Sequence, residues 1–413
     1  NPIPADQTVW GSFNLLREKS LKDQHDLVDA ADKHADSATA GSIEQKIGWL
    51  YRSSMNMDAR NKAGFEPLKP YLARIDALKS NKDVPAWLNQ SFATGDSAVF
   101  RFGARADYKN AKMEIASANQ GGLGLPTPAY YTDAQYKDVR EAYVQYLAKL
   151  FTLTGVPDKE AATRAGLAMK LETELATHSI PRVEMRKPEN QYHFVSVAEA
   201  NKITPHFDWN NFFKAQGVTV DKGFSLSQPK FFAEMDKLLA SAPLDEWKAY
   251  LAAHTISGAA DALSEPFVDA RFDFYDKTLR GQPEQKPQWK RSLDAVNDAM
   301  GQALGQLYVA KYFPPEAKQR AEELVHNIRE ALKNRIENLD WMSAETKAKA
   351  IDKWNKFLPK IGYPEKWRSW EGLKITPDNY FANTEAAQKF DYDYDIAKIG
   401  QPADRQEWFM TPQ

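Results

Sequence analysis

Glu316 to Leu339 reads EAKQRAEELVHNIREALKNRIENL. Ala317, Ala321, Leu324, Val325, Ile328, Leu332, Ile336 and Leu339 recur at helical spacing, so they line one side of a helix while charges cover the other. At about 1.5 Å per residue the helix reaches roughly 35 Å. Two further segments show the same periodicity behind a start signal. Ser42 with Gln45 forms a capping box ahead of Ile43, Ile47, Leu50, Tyr51 and Met55, which should be core. Thr132 with Gln135 repeats it before Tyr136, Val139, Tyr143, Leu147, Leu150 and Phe151, a stripe that stops near Gly155 and Pro157. Strand signals are short, the better ones being Tyr192 to Val197 and Val218 to Val220. The expected fold is mainly α, a multi-helix body with few short strands.

The 413 residues can bury a substantial core and have room for more than one domain. Apolar residues make up 43% and charged residues 27%, ordinary globular usage that argues against disorder. The 54 basic side chains nearly cancel the 56 acidic ones, so there is no basic excess to bind phosphate, and nucleic acid is not expected as a partner. Cysteine is absent, which excludes disulfides, thiolate metal sites and a cysteine nucleophile. No apolar run approaches the roughly 18 residues of a membrane span, and no signal-peptide pattern opens the chain. The start at Asn1-Pro2-Ile3-Pro4, without methionine, suggests that something was removed upstream.

Local catalytic motifs are missing. Zinc hydrolases commonly place two histidines four apart on a helix with a glutamate beside the first, so that one face offers both imidazoles. The seven histidines, at 25, 34, 178, 193, 206, 254 and 326, never fall three or four apart. His326 and Glu330 lie one turn apart on the long helix and read as a surface pair. There is no Gly-x-Ser-x-Gly elbow. Gly121-Gly122-Leu123-Gly124 lacks the third spaced glycine and the Lys-Ser/Thr ending of a phosphate loop, and reads as turn backbone. The tryptophans and tyrosines, without basic interleaving, read as core and interface residues.

Linear blocks carry more information. Ile3-Pro4-Ala5-Asp6 with Gly11-Ser12-Phe13 is followed by Leu50-Tyr51-Arg52-Ser53-Ser54-Met55-Asn56, then by Gln120-Gly121-Gly122-Leu123-Gly124-Leu125-Pro126 with Tyr130-Tyr131. Further on come Leu304-Gly305-Gln306-Leu307-Tyr308-Val309, Lys311-Tyr312-Phe313, Asp340-Trp341-Met342-Ser343 and Ile361-Gly362-Tyr363-Pro364. Pro402-Ala403-Asp404-Arg405 and Met410-Thr411-Pro412-Gln413 close the series. In kind and order these blocks resemble the neprilysin and endothelin-converting-enzyme family of zinc metalloendopeptidases, especially its bacterial oligopeptidase O members.

The resemblance implies a largely helical two-domain enzyme with a water-filled chamber that admits oligopeptides and excludes folded proteins. Residues 1–40 would pack towards the catalytic domain, 41–340 would form a helical lid, and 341–413 would return to the catalytic domain. Zinc would be held by two histidines and a glutamate, with a second glutamate as general base. In the family these follow the Met-Thr-Pro-Gln segment, so this chain alone is expected to lack the zinc motif and to be inactive, its partner being the C-terminal catalytic portion. By the same resemblance Phe13 matches a phenylalanine of the pocket after the scissile bond and Arg17 an arginine further along. Asn14 stands where neprilysin has aspartate. Val9 stands where neprilysin has the arginine that binds a terminal carboxylate, so a dipeptide-releasing preference is not implied. For Phe13 the alternative is core packing with Leu16, and for Arg17 a solvated salt bridge. The absence of cysteine departs from the disulfide-bridged animal relatives and fits a bacterial source, periplasmic or secreted, with the cytoplasm as the alternative. The alternative function is a non-catalytic helical module that binds peptides or a protein.

Overall fold

A computed structural model describes residues 3–413; Asn1 and Pro2, at the head of the expected 1–40 segment, lie outside the described residues. The fold is mainly α, as expected. Its longer helices include α1 (Ser12–His34), α2 (Ile43–Met55), α3 (Lys69–Asp76), α4 (Val84–Ala93), α5 (Lys137–Leu153), α6 (Asp158–Thr177), α7 (Leu244–Ala259), α8 (Gln288–Tyr312), α9 (Pro315–Glu337), α10 (Ala344–Asn355) and α11 (Tyr380–Ile396).

At the start of α2 the Gln45 N–H donates to Ser42 Oγ at 3.2 Å, half of the expected box, while Gln45 Oε1 accepts from Gly41 N at 2.8 Å instead of from Ser42. Ile47, Leu50 and Tyr51 are buried, whereas Ile43 is half-buried and Met55 exposed. The cap expected at Thr132 does not form. Thr132 ends a short helix and donates to Asp133 Oδ1, and α5 begins at Lys137 with no side-chain cap. Arg140 Nη1 ties that turn together by donating to the carbonyls of Tyr130 and Asp133 at 2.9 and 2.7 Å. The stripe is nonetheless core at Tyr143, Leu147, Leu150 and Phe151.

The single sheet among the described residues has four strands, β1 (Phe100–Asp107), β2 (Asn110–Gln120), β3 (Phe194–Val195) and β4 (Phe224–Leu226), in the order β1-β2-β4-β3. β1 and β2 form an antiparallel hairpin with Phe100 opposite Gln120, β2 runs parallel to β4, and β3 pairs antiparallel with β4. Only the first of the two expected strands exists, shortened to β3. Val218 to Val220 is not a strand; the buried Phe224-Ser225-Leu226 takes the inner place instead, with Phe224 packed on Trp209 and Phe213.

By compactness the chain divides into two discontinuous units. Unit 1 comprises 1–11, 52–288 and 373–403; unit 2 comprises 12–51, 289–372 and 404–413. By this grouping 289–340 lie with 12–51. Long-range polar pairs join these stretches: Lys290 Nζ meets the Glu18 carboxylate at 2.8 and 2.9 Å, and Asn297 Nδ2 donates to Gln24 Oε1 at 2.9 Å.

The core of unit 1 is aromatic. Trp209 is wholly buried among Phe100, Phe207, Phe212, Phe213, Phe224 and Phe232, with ring centroids 4.9–5.9 Å away, and its Nε1 donates to Thr204 Oγ1 at 2.9 Å. In unit 2, α1 and α2 approach so closely that a Cβ at Gly48 would strike the carbonyl of Ala31. His25 stacks on Trp289 at 4.3 Å and its Nε2 lies 3.0 Å from Tyr51 Oη. Lys46, whose pKa is lowered by burial, donates to the Trp370 carbonyl at 2.5 Å.

Candidate functional site

Unit 2 exposes large apolar side chains. The helix expected from the Glu316 to Leu339 stripe forms as α9, yet none of its residues is buried, and Leu324, Ile328 and Leu332 at the centre of the stripe are 61%, 60% and 51% exposed. α9 is held from its flank by α10: Trp354 Nε1 donates to the Arg329 carbonyl at 2.8 Å, and Arg329 and Lys333 lie over the Trp354 ring at 4.7 and 5.2 Å. Those contacts leave the leucine stripe open. Trp341, Phe357 and Phe409, also in unit 2, are exposed as well.

Phe13, Asn14 and Arg17 occupy the first two turns of α1, with Val9 just ahead of the helix. Only the later part of α1 is buried, through Leu21, Leu27, Val28 and Ala31. Phe13 is 87% exposed and Leu16 is also exposed, so neither packs into a core of this chain. Arg17 and Val9 are exposed and Asn14 is half-buried. Phe13→Ala is therefore expected to change folding stability by no more than about 0.5 kcal/mol in thermal unfolding. A loss of about 3 kcal/mol, as for a core phenylalanine, would restore the packing alternative.

The last residues lie along α8, which breaks helical geometry at Met300 (φ −140°, ψ 33°). Gln413 Nε2 donates to Asn297 Oδ1 at 2.8 Å and to the Gly301 carbonyl at 2.9 Å, and Gln302 Nε2 donates to the Trp408 carbonyl at 2.6 Å. A Cβ at Gly305 would come within 2.7 Å of Pro412 Cδ, and one at Gly301 within 3.0 Å of Thr411 Cγ2. The Leu304-Gly305-Gln306 and Met410-Thr411-Pro412-Gln413 blocks, distant in sequence, are thus two sides of one contact.

The Gly121-Gly122-Leu123-Gly124 loop in unit 1 presents no free cradle for phosphate. Its backbone is engaged by side chains: Gly124 N donates to Glu172 Oε2 at 3.1 Å, Tyr275 Oη donates to the Gly124 carbonyl at 3.1 Å, and Tyr250 Oη lies 2.9 Å from the Gly122 carbonyl. Gly122 has φ +75°, and a Cβ at Gly124 would collide with Tyr143 Oη, so both positions need glycine. Glu172, fully buried on α6, also accepts from Tyr131 Oη at 2.5 Å, Tyr143 Oη at 2.8 Å and His254 Nε2 at 2.9 Å. Sequence reading missed this hub, whose members are spread from residue 124 to residue 275 without a local signal.

No group of three or more histidine and carboxylate side chains among the described residues is gathered to hold a metal. Several histidines are occupied locally. His206 Nδ1 pairs with the buried Asp236 at 2.8 Å, His34 Nδ1 lies 2.8 Å from the Ala30 carbonyl, and His178 Nδ1 lies 3.0 Å from that of Glu174. His326 and Glu330 are both exposed. No helix among the described residues is long and apolar enough to cross a membrane.

Comparison with known proteins accounts for the blocks. The sequence profile described as Peptidase family M13 matches residues 1–364. Neprilysin-3 of Drosophila melanogaster is 28% identical over 100% of this chain and 56% of its own length. The neutral endopeptidase of Lactobacillus helveticus is 28% identical over 99% of this chain and 63% of its own. Among solved structures, the Mycobacterium tuberculosis zinc metalloprotease Zmp1 in complex with inhibitor superposes with a TM-score of 0.93 at 32% identity, covering 100% of this chain and 62% of that one. The fold is shared by PepO of Lactobacillus rhamnosis, TM-score 0.88 at 21% identity. This chain spans less than two thirds of the length of each of these relatives. With the profile matched over most of its length, the chain belongs to peptidase family M13.

Proposed function

We propose that this chain is the N-terminal portion of a zinc-dependent endopeptidase that hydrolyses oligopeptides, and that unit 2 carries the surface on which the C-terminal catalytic portion docks. The observation that carries this reading is the open Leu324, Ile328 and Leu332 stripe on α9. A helix with such a face gains its stability mainly by burying it, and no described residue covers it. The similar Mycobacterium tuberculosis protein is a zinc metalloprotease, and this chain covers 62% of it and 56% of Drosophila neprilysin-3. Unit 1 would serve as the lid-like helical body, with the Glu172 hub holding its helices together. Phe13, Asn14 and Arg17 would face substrate after the scissile bond, with Val9 unable to hold a terminal carboxylate. Zinc and the general base would come from the C-terminal portion, and export to the periplasm or medium of a bacterium belongs to the same reading.

The 413-residue chain by itself is expected to bind no stoichiometric zinc and to cleave no fluorogenic peptide, and to gain both when joined to the C-terminal portion. Elemental analysis and a peptide assay on both preparations decide this. One zinc per chain and turnover by the chain alone would overturn it. Peptide binding without turnover by the joined protein would favour the non-catalytic module.

A further inference from the structure

Unit 1 holds an open pocket of about 750 Å³ where the turn into α4 meets the start of the Trp209–Gln216 helix and the end of the Pro229–Ser241 helix. Pro85, Ala86 and Leu239 give it an apolar lining, and polar side chains from the first two elements complete it. Two of those polar groups are already spent. Asp208 caps the Trp209–Gln216 helix, its Oδ1 accepting from Asn210 N at 2.8 Å and its Oδ2 from Asn211 Nδ2 at 3.1 Å. Asn81 Nδ2 donates to the Ala242 carbonyl at 2.7 Å.

Three others keep unused hydrogen-bonding capacity. The Lys82 ammonium is exposed and has no hydrogen-bond or ion-pair partner among the described residues. The Asn89 carboxamide has its Oδ1 shut off from solvent without a partner, and turning about the Cβ–Cγ bond lets it present either its oxygen or its nitrogen to the pocket. His206 is fixed from behind by the buried Asp236, which accepts from His206 N at 2.7 Å and from Nδ1 at 2.8 Å. A carboxylate only accepts, so Nδ1 carries the proton and Nε2, on the far side of a ring that is half exposed, is left open.

We propose that this pocket binds the C-terminal end of a short peptide, with the Lys82 ammonium on the terminal carboxylate, the Asn89 carboxamide on the last peptide unit and His206 Nε2 on the N–H before it. The one unspent charge in the lining is positive, which selects an anionic end group. A carboxamide offers a donor and an acceptor side by side, as a peptide unit does, so the two can pair. The apolar lining suits small side chains, and the volume lies within the range of about 300–1,000 Å³ common for ligand sites. A phosphate dianion would meet a single unspent cation, with Asp208 already seated on the adjacent helix start.

The probe is N-acetyl-alanyl-alanine, titrated into the 413-residue chain while the methyl signals of Ala86 and Ala240, both in the pocket lining, are followed by NMR. These signals are expected to shift saturably below about 10 mM. Lys82→Gln should weaken the acid about threefold to fivefold, the factor for one partly solvated ion pair, and leave binding of the corresponding terminal amide unchanged. Asn89→Ala should weaken acid and amide alike, about threefold to tenfold. Thermal melting shows whether each variant folds, and the exposed Lys82 decides the matter should Asn89→Ala unfold. Unmoved methyl signals, equal losses for acid and amide in Lys82→Gln, or inorganic phosphate saturating the same signals at lower concentration would overturn the site. Each of these results leaves the peptidase reading untouched, because that rests on unit 2.

Discussion

Glu172→Ala is expected to destabilise unit 1 by about 3–5 kcal/mol, the range for removing one partner of a buried charged network. Its two oxygens accept from Tyr131 Oη, Gly124 N, Tyr143 Oη and His254 Nε2, and the residue has no exposed surface. Alanine would strand four donors and leave a cavity, and each unsatisfied buried group alone costs about 1–3 kcal/mol. The phenols cannot adapt by ionising. Burial and then the Glu172 charge hold Tyr131 and Tyr143 well above the usual tyrosine range. Glu172→Gln should lose nearly as much, because one end of the amide becomes a donor facing donors. The midpoint of urea unfolding measures both variants. A shift worth less than about 1 kcal/mol would mean that water replaces the carboxylate and that the hub does not brace the glycine loop.

Replacing Leu324, Ile328 and Leu332 together by lysine should leave the chain's own stability nearly unchanged while abolishing tight association with the C-terminal portion. Full burial of a leucine or isoleucine side chain is worth about 1.5–3 kcal/mol, so three sum to roughly 4.5–9 kcal/mol. Area converts poorly into affinity, because ordering and desolvation offset much of it. A third of the smaller figure still weakens binding more than tenfold. Titration of the separately expressed C-terminal portion against both chains, followed by sedimentation, reads the difference. Equal affinity for the triple variant would remove α9 from the docking surface.

The sequence showed helices best where one face is buried nearby. The stripes of α2 and α5 announce themselves because Leu50 and Leu147 fall at helical spacing among polar neighbours. The β1–β2 hairpin went unseen because Phe100 to Asp107 and Asn110 to Gln120 are rich in alanine and charge. The α9 stripe was legible as a pattern but not as a surface, since periodicity says which residues share a face and not whether anything covers it. Gly121 to Gly124 could be read as turn backbone, yet the tyrosines that require those glycines are unmarked. At the candidate site, Phe13 and Leu16 share helical spacing with core residues further along α1; only their exposure separates them.

Unit 2 is assembled from 12–51, 289–372 and 404–413, whereas unit 1 owns the uninterrupted stretch 52–288. That layout has a consequence for synthesis. Chains emerge at about 5–20 residues per second and domains tend to fold as units, so the 52–288 stretch can collapse around Trp209 while α1 and α2 still wait for α8. Residues 289–312, which complete α8, need roughly 1–5 s more to be made at that rate. The contacts that α1 and α2 await, such as Lys290 with Glu18, are far apart in sequence, so the entropy of closing the intervening loop is lost before the contacts form. Until then the apolar faces of α1 and α2 stand open on the nascent chain. Pulse-labelling of ribosome-bound chains should find the α1 amides unprotected long after those of the Trp209–Gln216 helix are closed.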